Sequence, residues 1–161
     1  MVGEGCLRCL PIPGSWIAWE VDVNWRRIVV GGLVAGLVMN ALDFITNVPL
    51  FGAGWARAYQ VIGLKPNDGA VATFWTSFDF AAGVLIAFLY AAMRPRFGPG
   101  PKTALAAAFV EWLLVHMTLA SHAVDGVFPM GQLVGTGACE LVSAGIAGLI
   151  AGRLYAEPSV A

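Results

Sequence analysis

Charge is what this sequence has least of. Only 12% of its 161 residues are Asp, Glu, Lys or Arg, against 58% hydrophobic, and the mean hydropathy is +0.76. A water-facing surface needs more charge than that, which excludes an ordinary soluble domain. The net charge is −1. No basic surface is available to displace phosphate counterions, so nucleic acid is excluded as a partner. Three scattered cysteines are too few for a disulfide framework. A cleavable leader is not expected, because Pro11, Pro13 and Gly14 interrupt Met1 to Trp25 and no apolar core follows a basic start. Nucleophile–base pairs, a phosphate-binding glycine loop and the HExxH pattern are all missing. Gly98-Pro99-Gly100 cannot substitute for such a loop, since proline removes the amides it would need. An enzyme is thus the least supported class, with buried acids the one feature that leaves catalysis open.

What the sequence does have is membrane-length apolar runs. The spacing predicts an all-α, four-transmembrane-helix bundle of two helical hairpins, with spans at about 27–50, 70–93, 103–124 and 129–152. Between helices 1 and 2, Phe51 to Gly69 is amphipathic, with Trp55, Tyr59 and Ile62 on one face. It reads as a short interfacial helix closed by a Pro66-Asn67-Asp68-Gly69 turn. Arg94 to Lys102 reads as a basic, proline-stiffened connector, with Thr103 capping the third span and Asp125-Gly126 a tight turn before the fourth. Residues 1–26 form an N-terminal segment, interfacial through Trp16, Trp19 and Trp25 or else poorly ordered. The transmembrane domain is then 27–153, and 154–161 a cytoplasmic tail. This topology puts Arg8, Arg26, Arg27, Arg94, Arg96, Lys102 and Arg153 on one side, and Arg57 and Lys65 on the other. The excess marks the cytoplasmic face, so both termini and the Arg94, Arg96, Lys102 loop should be cytoplasmic.

Small residues pace the spans. Gly32 and Gly36 in the first, Gly83 in the second, and Gly148 and Gly152 in the fourth allow close backbone approach, which drives helix association where no hydrophobic effect operates. Asn40, Asp43 and Asn47 continue the glycine face of the first span. Each span carries one carboxylate: Asp43, Asp79, Glu111 and Glu140. Counting about 1.5 Å per residue, these four with Asn40 and His116 fall in a layer about 12–23 Å from the cytoplasmic ends. Asn40, Asp43, Asn47, Asp79, Glu111, His116, His122 and Glu140 together make the expected buried polar layer. A charged Asp at mid-span costs roughly 2.5–3.5 kcal/mol, so four would cost on the order of 10 kcal/mol. No Lys or Arg lies within any span to neutralise them. The acids must carry protons, bond to neighbours such as Asn40, Thr76 and Ser143, share a cation, or face water.

His116 points roughly 120–140° away from Glu111 and His122 on its helix, so the two histidines cannot jointly clamp one metal or haem. No metal site is expected. A single haem or chlorophyll-type ring at His116 or His122 is a minor alternative to a structural histidine bonded to an acid. Cys6-Leu7-Arg8-Cys9 has CxxC spacing but lacks further zinc ligands and is followed by prolines. Cys139, beside Glu140, reads as a small packing residue.

The run Gly31-Gly32-Leu33-Val34-Ala35-Gly36-Leu37-Val38 with Asn40, Asn47 and Trp55, followed by Leu89-Tyr90-Ala91-Ala92 and Arg94 through Ala104, resembles a group of small, uncharacterised bacterial four-helix membrane proteins. The resemblance covers about Trp25 to Glu157, and its most specific part is the basic connector. It implies the topology and a bacterial inner (plasma) membrane, and transfers no activity.

Three functions fit these observations. The sequence favours a non-enzymatic scaffold or accessory subunit that forms a homo-oligomer or joins other membrane subunits, as the small-residue faces and short chain suggest. The alternative is a small channel or carrier moving protons or a small solute past the buried carboxylates. The third is a haem- or pigment-binding subunit of an electron-transfer complex.

Overall fold

The computed structural model describes residues 23–65, 67–127 and 129–156. Cys6, Cys9, Arg8, Trp16, Trp19 and most of the 154–161 tail lie outside the described residues. Every regular element among those described is helical: α1 Trp25–Thr46, a π-helical turn Asn47–Phe51, α2 Gly52–Val61, α3 Asp68–Phe97, α4 Pro101–Val124 and α5 Met130–Leu154. Four helices are long and apolar enough to cross a membrane. The chain is a multi-pass membrane protein.

The helix ends correct several expectations. The first helix does not stop at Leu50. Pro49 lacks the amide that an α-helical turn would use, and the backbone widens into a π-turn instead of breaking. The helical rod therefore continues to Val61, 37 residues in all. At about 55 Å it exceeds the roughly 30 Å hydrocarbon core. Gln132 of α5 secures the widened turn by donating Nε2–H to the Phe51 carbonyl at 2.9 Å.

Asp68 and Gly69 are not a turn but the first residues of α3, since the Asn67 side chain accepts from the Ala70 amide at 3.1 Å and starts the helix two residues early. The Arg94–Lys102 connector is largely helical. Arg94 to Phe97 close α3 through Pro95, while Pro101 opens α4 at the first helical position, which proline suits. Only Gly98 to Gly100 link the two helices. Gly98 and Gly100 have φ of 80° and 128°, angles that side chains rarely adopt. Thr103 is therefore inside the helix and not its cap, and its hydroxyl donates to the Gly98 carbonyl at 2.7 Å. The Gly100 amide donates to the Tyr90 hydroxyl at 3.2 Å, which ties the link to the bundle.

α1 packs most extensively on α3 and α4 on α5, giving two hairpins, and α1 also lies along α5. The core is built from small residues: Ala35, Ala87, Ala107, Ala147 and Ala151 are fully buried, with Ile28 and Ile86 the largest apolar side chains among them. Large side chains such as Leu37, Phe44, Phe74, Leu114 and Met117 point outward. This inverts the soluble pattern, because lipid solvates leucine as well as a core does and close backbone approach becomes the source of packing.

The glycines show it directly. A Cβ on Gly83 would collide with Gly32 and Gly36 backbone atoms, the Gly36 Cα at 2.8 Å among them. One on Gly36 would fall 2.6 Å from the Phe80 Cα. Gly148 and Gly152 sit against Ala108 and Ala104 in the same way, at 2.8 and 2.9 Å from their Cβ atoms. All five glycine faces are thus used inside the bundle. Asn24 and Ala156 meet at one end of it, where the Asn24 side chain donates to the Ala156 carbonyl at 3.1 Å and Arg94 stacks over the Tyr155 ring.

Candidate functional site in the bundle core

Each spanning helix delivers one carboxylate to the interior: Asp43 from α1, Asp79 from α3, Glu111 from α4 and Glu140 from α5. All four lie within electrostatic reach of one another, and Glu111 also of His116. Asp79, Glu111 and His116 are 8%, 4% and 8% exposed, while the Glu140 side chain keeps 27%. At about 1.5 Å per residue from the end where Asn24 meets Ala156, Glu111 lies near 15 Å. Glu140 and His116 follow near 21–23 Å, and Asp43 and Asp79 near 27 Å. The acids form a column about 12 Å tall. Between Glu111 and the Asn24–Ala156 end, the interior is closed by Ala104, Ala107, Ala108, Ala147 and Ala151, none more than 2% exposed.

His116 is held from three directions. Its ring stacks on Trp112 at 4.7 Å and 21°, and the Trp112 indole donates to the Gly137 carbonyl at 2.8 Å. Gly137 has to be glycine, since a Cβ there would sit 2.8 Å from the imidazole Cδ2. His116 Nδ1 lies 2.9 Å from the Trp112 carbonyl, which can only accept, so Nδ1 carries a hydrogen. Nε2 then faces the Glu140 Oε2 at 3.2 Å. A neutral imidazole would present a lone pair there and a carboxylate another, so the contact requires a proton between them, on one side or the other. The two atoms are in contact but are not aligned for a directional hydrogen bond.

The remaining acids have little to hold them. Among the described residues no hydrogen bond reaches Asp79 or Glu111, and Asp43 Oδ1 is buried without a partner. Ser143, 2% exposed, faces the Asp43 carboxyl, and its hydroxyl can turn to donate there. Asn40 does not serve the acids, because its Nδ2 donates to the Gly36 and Thr76 carbonyls at 3.0 and 3.2 Å, joining α1 to α3. Asn47 begins the π-turn and its amide donates to the Asp43 carbonyl.

His122 corrects the expected buried set. It is exposed because it lies in the last turn of α4, beyond the buried stretch that holds Glu111 on the same face, and its Nδ1 is 2.9 Å from the Thr118 carbonyl. Arg94, Arg96 and Lys102 lie at the Asn24–Ala156 end, away from the acids. Among the described residues no three His, Cys, Asp or Glu side chains are grouped as metal ligands. Both His116 nitrogens are engaged, so a ring metal could bind there only after displacing Glu140. Trp112 and Gly137 are the members that the sequence did not single out, while Ser143 was expected as a neighbour of the acids. A tryptophan four residues before a histidine was the available signal, since that spacing stacks side chains on one face.

No protein-family profile, characterised protein or solved structure matches the chain.

Proposed function

We propose that this protein conducts protons, or couples their movement to a small solute, along the Glu111–Glu140–His116–Asp43–Asp79 column. One observation carries the reading: four carboxylates, one from each span, converge with an imidazole in a core that gives them almost no hydrogen bonds and no Lys or Arg. Assembly glue works by satisfying polar groups across helices. These acids have few partners, Ser143 for Asp43 and His116 for Glu140, at a cost of roughly 2.5–3.5 kcal/mol for each that is charged, and intramembrane acids so placed are relay groups by default. A proton moves from a carboxyl to the neighbouring carboxylate, or through His116 Nε2, with charge conserved within the column. The alanine-packed end stops water, so protons exchange with the column from the opposite end, where Thr73, Thr76 and Ser77 of α3 are exposed.

The scaffold reading loses its main support, since the glycines that suggested an oligomer are spent within the single chain. The positive-inside excess supports a bacterial inner membrane with cytoplasmic termini, as does the likeness to small bacterial four-helix proteins.

Proton flux into liposomes under an imposed potential tests the reading. Flux should fall at least tenfold in Asp43→Asn and in Asp79→Asn, each folded by circular dichroism. Equal flux in protein-free liposomes, or flux that both variants keep, would refute it.

A further inference from the structure

The bundle is electrically polarised along its length. At the Asn24–Ala156 end lie Arg26, Arg27, Arg94, Arg96, Lys102 and Arg153, and among the described residues no carboxylate joins them. The opposite end sets Arg57 and Lys65 against Asp68 and Asp125. Within the basic end one place has the shape of a site. A pocket of about 420 Å³ is lined by Asn24, Arg26, Arg27 and Val30, a size within the range of small-ligand sites. Asn24 is spent, since its Nδ2 donates to the Ala156 carbonyl at 3.1 Å and its Oδ1 accepts from the Arg27 amide at 3.1 Å. The two guanidinium groups are not, for among the described residues neither has an ion-pair partner. Such a pair of forks fits a phosphate, whose oxygens accept two N–H donors from one guanidinium at a time.

Two further observations say where the phosphate comes from. Trp25, next in the chain to the arginines, is 62% exposed and stacks on Phe88 at 5.8 Å. An exposed indole at the end of a span marks the headgroup layer, so the arginines stand at the depth of lipid phosphates. Below them Val30, Leu33, Val34 and Leu37 are all exposed. At their helical spacing they continue the face of Arg26 and Arg27 as an apolar track about 10 Å long, running into the bilayer.

We infer that this pocket is a binding site for an anionic phospholipid of the leaflet at the Asn24–Ala156 end. The phosphate accepts from the Arg26 and Arg27 guanidinium groups, and an acyl chain lies along Val30, Leu33, Val34 and Leu37. A zwitterionic lipid carries the same phosphate but brings an ammonium to a surface that already holds six cations, so selection is for net negative charge. The site is separate from the acid column and stands or falls without the proton reading.

The full chain is reconstituted in phosphatidylcholine vesicles carrying a phosphatidylglycerol or a phosphatidylcholine probe, each with the same diazirine in its acyl chain. After photolysis, crosslinked residues are mapped by mass spectrometry. Each arginine engaged is worth about fivefold in binding at an anionic headgroup. The phosphatidylglycerol probe should therefore mark 30–37 at least fivefold above the phosphatidylcholine probe. Arg26→Gln with Arg27→Gln, both at exposed positions, should bring that labelling down to the phosphatidylcholine level. Lys102→Gln with Arg153→Gln removes equal charge from the same end and should leave most of it. Equal labelling by the two probes, or labelling that survives the loss of both Arg26 and Arg27, would overturn the site. An equal fall in the Lys102 and Arg153 variant would make the effect one of surface charge and remove the pocket from it. Displacement by inorganic phosphate, but not by sodium chloride of equal ionic strength, would assign the pocket to a soluble phosphate and overturn the lipid.

Discussion

Gly83→Ala inserts one methyl where α3 crosses α1. The added Cβ would collide with the Gly32 carbonyl oxygen and the Gly36 amide nitrogen, and stand 2.8 Å from the Gly36 Cα. All three are backbone atoms, so no rotamer change relieves the clash and the helices must part. Overpacking of this kind costs about 1–3 kcal/mol. Alanine also favours a helix over glycine by up to about 1 kcal/mol, which acts in the opposite direction. Gly145→Ala isolates that second effect. It lies in α5, and its new Cβ would meet only the Leu105 Cδ2, at an ordinary 3.6 Å. The difference between the two variants is therefore the clash alone, about 1–3 kcal/mol, or roughly 5- to 150-fold in the unfolding equilibrium. Equilibrium unfolding in mixed micelles with increasing dodecyl sulfate, followed by tryptophan fluorescence, measures it. Gly83→Ala should unfold at lower dodecyl sulfate than the native chain, and Gly145→Ala at the same concentration or higher. Equal stability of the two variants would refute the crossing described here.

Other perturbations separate parts of the structure. Trp112→Phe keeps a ring to stack on His116 but leaves the Gly137 carbonyl without its 2.8 Å donor. It should cost about 1–3 kcal/mol in the same assay. Gly100→Ala forces a side chain to φ of 128°, and should cost about 1–3 kcal/mol through backbone strain, with the Gly100–Tyr90 bond lost. Single cysteines replacing Lys65 and Lys102, in a chain whose own three cysteines are serine, should react with a membrane-impermeant maleimide from opposite sides of sealed vesicles. Labelling of both from one side would invert the orientation argument.

The four-helix architecture was legible because membrane-length apolar runs have no competing explanation in so uncharged a chain. Helix ends were less so. Arg94, Pro95 and Arg96 look like a loop by composition, yet they continue α3, which forgoes the one bond that Pro95 cannot donate and ends at Gly98. Pro49 looked like an end and proved a π-turn, because Gln132, 81 residues away in sequence, takes up the Phe51 carbonyl. One acid per span was visible in the sequence, but their convergence was not, since it depends on how the helices rotate about their axes. The glycine pattern was visible too. Which surface it served, another chain or this one, depended on Gly83 meeting Gly32 and Gly36.

The central claim is that Asp43, Asp79, Glu111, Glu140 and His116 hold their protons in common. Infrared difference spectroscopy of the protein in liposomes, titrated across pH, reads the carbonyl stretch of protonated carboxyl groups. If the group is coupled, Asp43→Asn should remove its own band and also displace the titration of the bands that remain. Remaining bands that titrate as in the native chain would mean that the acids are independent, and the column would not be a proton path.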